Sequence, residues 1–154
     1  MNKKILRVYL DNCCYNRPYD DQSQIRISLE AQAKIFIQDA IKAGRIELAA
    51  SYVLLHENNR NPHENRKQAI YKFIKQNTDI FVDIDQANIV EIKAEEITRT
   101  GVKSVDALHV ACAIRAKCDY FLTTDDRLLK YRSNEIKMTN PIEFIKTLEG
   151  NNHE

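Results

Sequence analysis

The chain predicts an α/β fold, a parallel sheet with helices on both faces. Short β-type runs alternate with amphipathic helical segments along its length, the pattern of such a sheet. Its 154 residues, 44% hydrophobic and 29% charged, suit one soluble domain with a sizeable core. Only three Gly and three Pro interrupt it, and no repeat or low-complexity run marks a linker. Residues 1–148 therefore read as one domain and 149–154 as a flexible tail.

Ile5–Leu10 is the first strand, ended by Asp11. Asn12–Asp21, rich in Asn, Asp and Pro, reads as a loop. Ile25–Ala43 carries a helical pattern that Gly44 stops. Ile46–Ala50 is the second strand, and Ser51 caps a short helix through Val53, Leu54 and Glu57, which Asn58–Pro62 breaks. Asn65–Asn77 is an amphipathic helix with Ala69, Ile70, Phe73 and Ile74 inward. Ile80–Ile84 is the third strand, and Gln86–Thr100 the next helix, ended by Gly101. Ser104–Lys117 is a helix apolar almost all round, so it should be buried. Tyr120–Thr123 is the fourth strand, Asp126–Tyr131 a helical turn and Ile136–Met138 a weak fifth strand. Pro141 opens the last helix.

Composition excludes several classes. The net charge of +1 announces no bulk attraction to nucleic acid, so any basic surface must be local. No segment approaches the roughly 20 apolar residues of a membrane span. The basic start, Met1–Arg7, lacks the apolar run of a signal peptide. Cys13, Cys14, Cys112 and Cys118 form no CxxC pair, which disfavours structural zinc. They suit a reduced, cytoplasmic chain that uses cysteine as a small apolar residue.

Four acids stand out by position. Asp106 lies in the first turn of the buried helix, where a lone carboxylate is costly without a positive partner. The helix dipole, with Ser104 as cap, is one partner and a cation another. Asp11 and Asp125 follow strands, and ligands of parallel sheets bind beyond the carboxyl ends of the strands. A loop-starting Asp and a helix-capping Asp are the plainer readings. Glu57 falls on the inward turn of Val53 and Leu54, or else is a solvated helix-end acid. Carboxylates converging on one point would repel one another, and a divalent cation relieves that. Hard oxygen donors select Mg²⁺ or Mn²⁺.

Asp11 after strand one, Glu57 in the second helix, Asp106 in Asp-Ala-Leu-His-Val-Ala-Cys-Ala and Asp125 in Leu-Thr-Thr-Asp occur in an order that resembles the PIN-domain ribonucleases. The VapC-like toxins of type II toxin–antitoxin pairs are the group it is most similar to. The resemblance spans essentially the whole chain, including the Pro141-Ile142-Glu143-Phe144 helix. It implies a five-stranded parallel sheet in order 3-2-1-4-5, which sets strands one and four side by side. It also implies that Asp11, Glu57, Asp106 and Asp125 hold one or two Mg²⁺ or Mn²⁺ ions and cut RNA. Cleavage would leave 5′-phosphate and 3′-hydroxyl ends. The implied partners are an RNA substrate, a cognate antitoxin and a second copy in a homodimer. The chain departs from the family in Asn12, where Thr or Ser is usual, and in its longer first loop, Cys13–Asp21.

Arg60, Arg66, Lys67, Lys72 and Lys75 would supply local charge for RNA, or form an ordinary solvated face. Arg17, Tyr15 and Tyr19 would stack and pair with RNA, or pack on the surface. His109 reads as a histidine hydrogen-bonded within the fold, and Glu30, Asp20 and Asp21 as surface or capping acids. Two other functions compete: a catalytically silent PIN-fold or RNA-interaction module, and a phospho-acceptor or phosphatase-like protein using Asp11. The intact acid quartet disfavours the first. The lack of a suitably placed lysine disfavours the second.

Overall fold

A computed structural model describes residues 4–152. Strands β1 (Leu6–Leu10), β2 (Ile46–Ser51), β3 (Ile80–Val82), β4 (Tyr120–Leu122) and β5 (Lys137–Thr139) form one sheet in order β3-β2-β1-β4-β5. Every pairing is parallel. Val8, Tyr9 and Leu10 of the central strand are all fully buried. Successive strand residues face opposite sides, so helices cover the sheet on both.

Among the described residues there are seven helices, six between the strands and one after the last: α1 (Asn12–Asn16), α2 (Ile25–Lys42), α3 (Tyr52–Asn59), α4 (Glu64–Asn77), α5 (Ala87–Thr98), α6 (Ser104–Arg115) and α7 (Pro141–Asn152). Helix α6 packs on α5, α3 and β2, while α2 packs on α7 and β2. Gly44 and Gly101 take φ of 74° and 103° after α2 and α5, the left-handed conformation that ends helices at little cost. No helix among the described residues is long and apolar enough to cross a membrane. The four cysteines are free thiols, and only Cys13 is not buried.

The structure departs from the sequence reading in several places. The segment expected as a loop from Asn12 is helical: α1 is followed by a 3-10 turn over Arg17–Tyr19. Asp11 caps α1 through its side chain, and Cys14 and Tyr15 turn into the core, which outweighs the polar composition. The third strand ends at Val82, because Asp83 caps a 3-10 turn over Ile84–Gln86. The fifth strand is displaced to Lys137–Thr139, and the Asp126–Tyr131 turn contracts to Leu128–Lys130. Ser104 is not a cap: Lys103 occupies that position without a side-chain bond. Ala69 of α4 is exposed rather than inward. Helix α7 continues through Asn152, past the expected domain end. Residues 1–3 of the basic start and 153–154 of the expected tail lie outside the described residues.

Helix α2 buries an unusual pair, Glu30 and Lys34. The Lys34 ammonium lies 5.5 Å from the Tyr15 ring centre and 5.4 Å from that of Phe73. Burial pushes its pKa from 10.5 down to about 8. Such a shift corresponds to about 3 kcal/mol against the charged form, while the two ring contacts return about 1–2 kcal/mol. The unfolded chain binds more protons between the two values, so stability rises with pH from about 8 to 10.5. Lys34→Met should therefore gain about 1–2 kcal/mol at pH 7 and abolish that rise. Urea denaturation at pH 7 and at pH 10 checks both effects.

Candidate metal centre

The sheet topology brings the four predicted acids together. Leu10 of β1 pairs with Leu122 of β4, so Asp11 and Thr123 leave adjacent strand ends side by side. The Asp11 amide donates to the Leu122 carbonyl at 2.9 Å. Asp11 is 6% exposed. Its Oδ1 accepts from the Asn12 amide at 2.9 Å, and its Oδ2 from the Thr123 hydroxyl at 2.8 Å. The Cys13 thiol also approaches Oδ2, at 3.3 Å. Asn12 offers its backbone where the family pattern has a hydroxyl, and Thr123 on the neighbouring strand supplies a hydroxyl to Asp11. The Thr123 oxygen in turn accepts from the Asp125 amide at 3.1 Å, which ties the two strand-end acids through one side chain.

Asp125 is exposed, and its Oδ1 accepts from the Arg127 amide at 2.9 Å. Asp106 emerges half-buried from the first turn of α6, where the helix leaves the core. Its carboxyl pKa is raised, first by burial and then by the negative charges of Asp11, Asp125 and Glu57. Nearby His109 opposes the shift. Asp106 and Asp125 both line a cleft of about 390 Å³.

Glu57 is held from behind. The His109 ring is fully buried, with Nε2 2.9 Å from Glu57 Oε1 and Nδ1 2.7 Å from the Tyr9 hydroxyl. That hydroxyl also lies 2.7 Å from Ser51 Oγ, which accepts from the Leu54 amide at 3.2 Å. A carboxylate only accepts, so His109 donates from Nε2. One side chain from each of β1, β2 and α6 thus sets the orientation of an acid on α3. Ligand atoms of Asp11, Glu57 and His109 lie within 4.8 Å of one another. Both His109 nitrogens are nevertheless engaged, so the ring orients Glu57 and leaves the outward-facing donors to the carboxylates. Tyr9→Phe removes the buried bridge and strands two polar atoms, which should cost about 1–2 kcal/mol in urea denaturation.

The donor set fits a hard divalent cation. It consists of carboxylate oxygens, one of them on a nearly inaccessible residue, and their mutual repulsion already shows in Asp106. His109 was legible in the sequence as an internal histidine. Thr123, Tyr9 and Ser51 were not legible as site supports. Each ends or lines a strand, and only the strand order reveals what it faces.

Other expectations change. Tyr15 is fully buried and cannot stack on a ligand. Arg17 is occupied within the fold, bonding Thr124 Oγ1 at 2.7 Å and Asp20 at 3.1 Å. Arg66 covers the Tyr19 ring, its guanidinium carbon 5.0 Å from the centroid, and Lys67 pairs with Glu64 at 3.3 Å. Glu30, expected at the surface, is 1% exposed and bound by cations. Asp126 pairs with Arg26 at 2.7 Å.

Neither a family model nor a curated protein matches the chain. Solved structures do resemble it. A chain of VapBC2 from Rickettsia felis, solved bound to a DNA fragment from its promoter, superposes with a TM-score of 0.53 at 12% identity. The match covers 88% of this chain and 98% of that one. A chain of FitAcB from Neisseria gonorrhoeae superposes with a TM-score of 0.52 at 14% identity, covering 87% and 97%. At such identities the likeness speaks for the fold, and the chain has the PIN-like α/β fold, with its five parallel strands in order 3-2-1-4-5.

Proposed function

We propose that the protein is a metal-dependent ribonuclease of the VapC-like toxin type. The observation that carries this reading is the convergence of Asp11, Glu57, Asp106 and Asp125 from four separate elements at the carboxyl end of the sheet. These four carboxylates would hold Mg²⁺ or Mn²⁺. When bound, such an ion lowers the pKa of water and offsets charge building on a phosphodiester. The chain's own contribution is placement. Thr123 fixes Asp11 and the Asp125 amide, and His109 fixes Glu57, so little reorganisation remains when substrate arrives.

The similarity to chains of VapBC2 and FitAcB supports a protein partner of the antitoxin kind, and the free thiols accord with a cytoplasmic setting. A catalytically silent module would not need four carboxylates held in mutual repulsion. The test is cleavage of single-stranded RNA by purified protein with Mn²⁺ or Mg²⁺, abolished by EDTA and absent in Asp106→Asn. Cleavage that persists in EDTA or in the variant sinks the site assignment.

A further inference from the structure

The cleft lined by Asp106 and Asp125 also gathers four cations. Lys103 lines it from the start of α6, and Arg127, Lys130 and Arg132 line it from the segment after β4. All four are exposed. Among the described residues none of them is paired with an acid, although the chain as a whole carries 23 basic and 22 acidic residues. Arg132 donates to the Leu129 and Tyr131 carbonyls at 2.7 and 3.3 Å, which anchors it along the cleft, and four cations unpaired with acids beside a cluster of carboxylates call for an explanation. Tyr131, half-buried, adds an aromatic ring to the same lining.

We infer that this cleft is the track of the RNA backbone: Lys103, Arg127, Lys130 and Arg132 hold phosphates on one side of the bond presented to the acids. The inference rests on the ribonuclease reading and assigns it a substrate path. A polyanion approaching four carboxylates is repelled, and fixed positive charge within a few residues of Asp106 and Asp125 offsets that repulsion locally. The charges come from two segments, the start of α6 and the stretch after β4, which suits several successive phosphates better than one small anion. Tyr131 offers a face on which an unpaired base can stack, which selects single strands over duplex. The cations of α4 are weaker candidates, since Lys67 is paired and Arg66 lies on Tyr19.

Binding of a fluorescein-labelled single-stranded RNA, with Ca²⁺ replacing Mg²⁺ to slow cleavage, tests the assignment by anisotropy over a salt series. Each neutralised phosphate of a single strand contributes about 0.7 to the slope of log affinity against log salt. Lys130→Gln combined with Arg132→Gln should flatten the slope by about 1.4 and weaken binding roughly tenfold. In Mg²⁺ the same variant should raise KM while kcat holds. Lys72→Gln combined with Lys75→Gln on α4 should leave the slope in place. A slope unchanged in the cleft variant but flattened in the α4 variant overturns the track and spares the ribonuclease reading. A wild-type protein that neither binds nor cuts RNA removes both. All four substituted positions are exposed, and a thermal melt verifies that both variants fold.

Discussion

Asp106→Asn is expected to abolish metal-dependent cleavage and, in the absence of metal, to make the protein more stable. Loss of one carboxylate from the proposed cation site should lower activity by about a hundredfold or more, since even outer supports of metal ligands are worth roughly 10–100-fold. The stability change has the opposite sign. Asp106 is charged against burial and against Asp11, Asp125 and Glu57. It is partly solvated, so screening leaves a gain of about 0.5–1 kcal/mol when the charge is removed. A raised carboxyl pKa means that the folded state holds its proton more tightly than the unfolded chain. Metal-free wild-type protein therefore loses this stability as pH rises from the ordinary carboxylate range through the raised value, and the variant does not. Added Mg²⁺ or Mn²⁺ binds the native state and should raise the wild-type melting temperature, with little effect on the variant. Melting curves with EDTA and with metal, at pH 4 and pH 7, read out all three effects.

Glu30→Ala should be the most destabilising single change outside the apolar core, at about 3–5 kcal/mol. The Glu30 carboxylate is 1% exposed, and its Oε2 accepts from Arg26 Nε at 3.2 Å and from the Asn140 side-chain Nδ2. Arg17 Nε lies 3.3 Å from its other oxygen. Truncation strands that positive charge in a largely dry place. Arg26 retains Asp126, and Arg17 retains Asp20, so the lower half of the range is favoured. The effect reaches the acids as well. Arg17 bonds the Thr124 hydroxyl and Arg26 the Thr124 carbonyl, so Glu30 holds the two arginines that clamp the segment carrying Asp125. Urea denaturation gives the stability loss. RNA cleavage by the folded fraction should fall with it, whereas Glu30→Gln, which keeps the shape and one acceptor but not the charge, should lose less of both than Glu30→Ala.

The fold was legible because its signals are local. Strand and helix periods, the stops at Gly44 and Gly101, and Pro141 at a helix start place most elements within a residue or two. The four candidate acids stood out by position: Asp106 and Glu57 on the apolar faces of helices, Asp11 and Asp125 directly after strands. What stayed hidden depends on pairs distant in sequence. Thr123 serves Asp11 only because β4 lies beside β1, and the Arg17–Glu30–Arg26 network reads in sequence as unrelated surface charge. The first loop misled because polar composition hid the inward turn of Cys14 and Tyr15. The cationic cleft misled in the other direction: Lys103 and the 127–132 cations form no run, and only the fold gathers them.

The central position of β1 also sets when the acid cluster can assemble. Val8 must wait for Tyr120, and Asp11 for Thr123, before either has its partner. During synthesis the first strand therefore emerges with one side unpaired until most of the chain has been made. A nascent fragment lacks the strand end that orients Asp11, and it lacks Asp125 altogether. The acid cluster therefore assembles only after the chain has been made past β4, about four-fifths of its length.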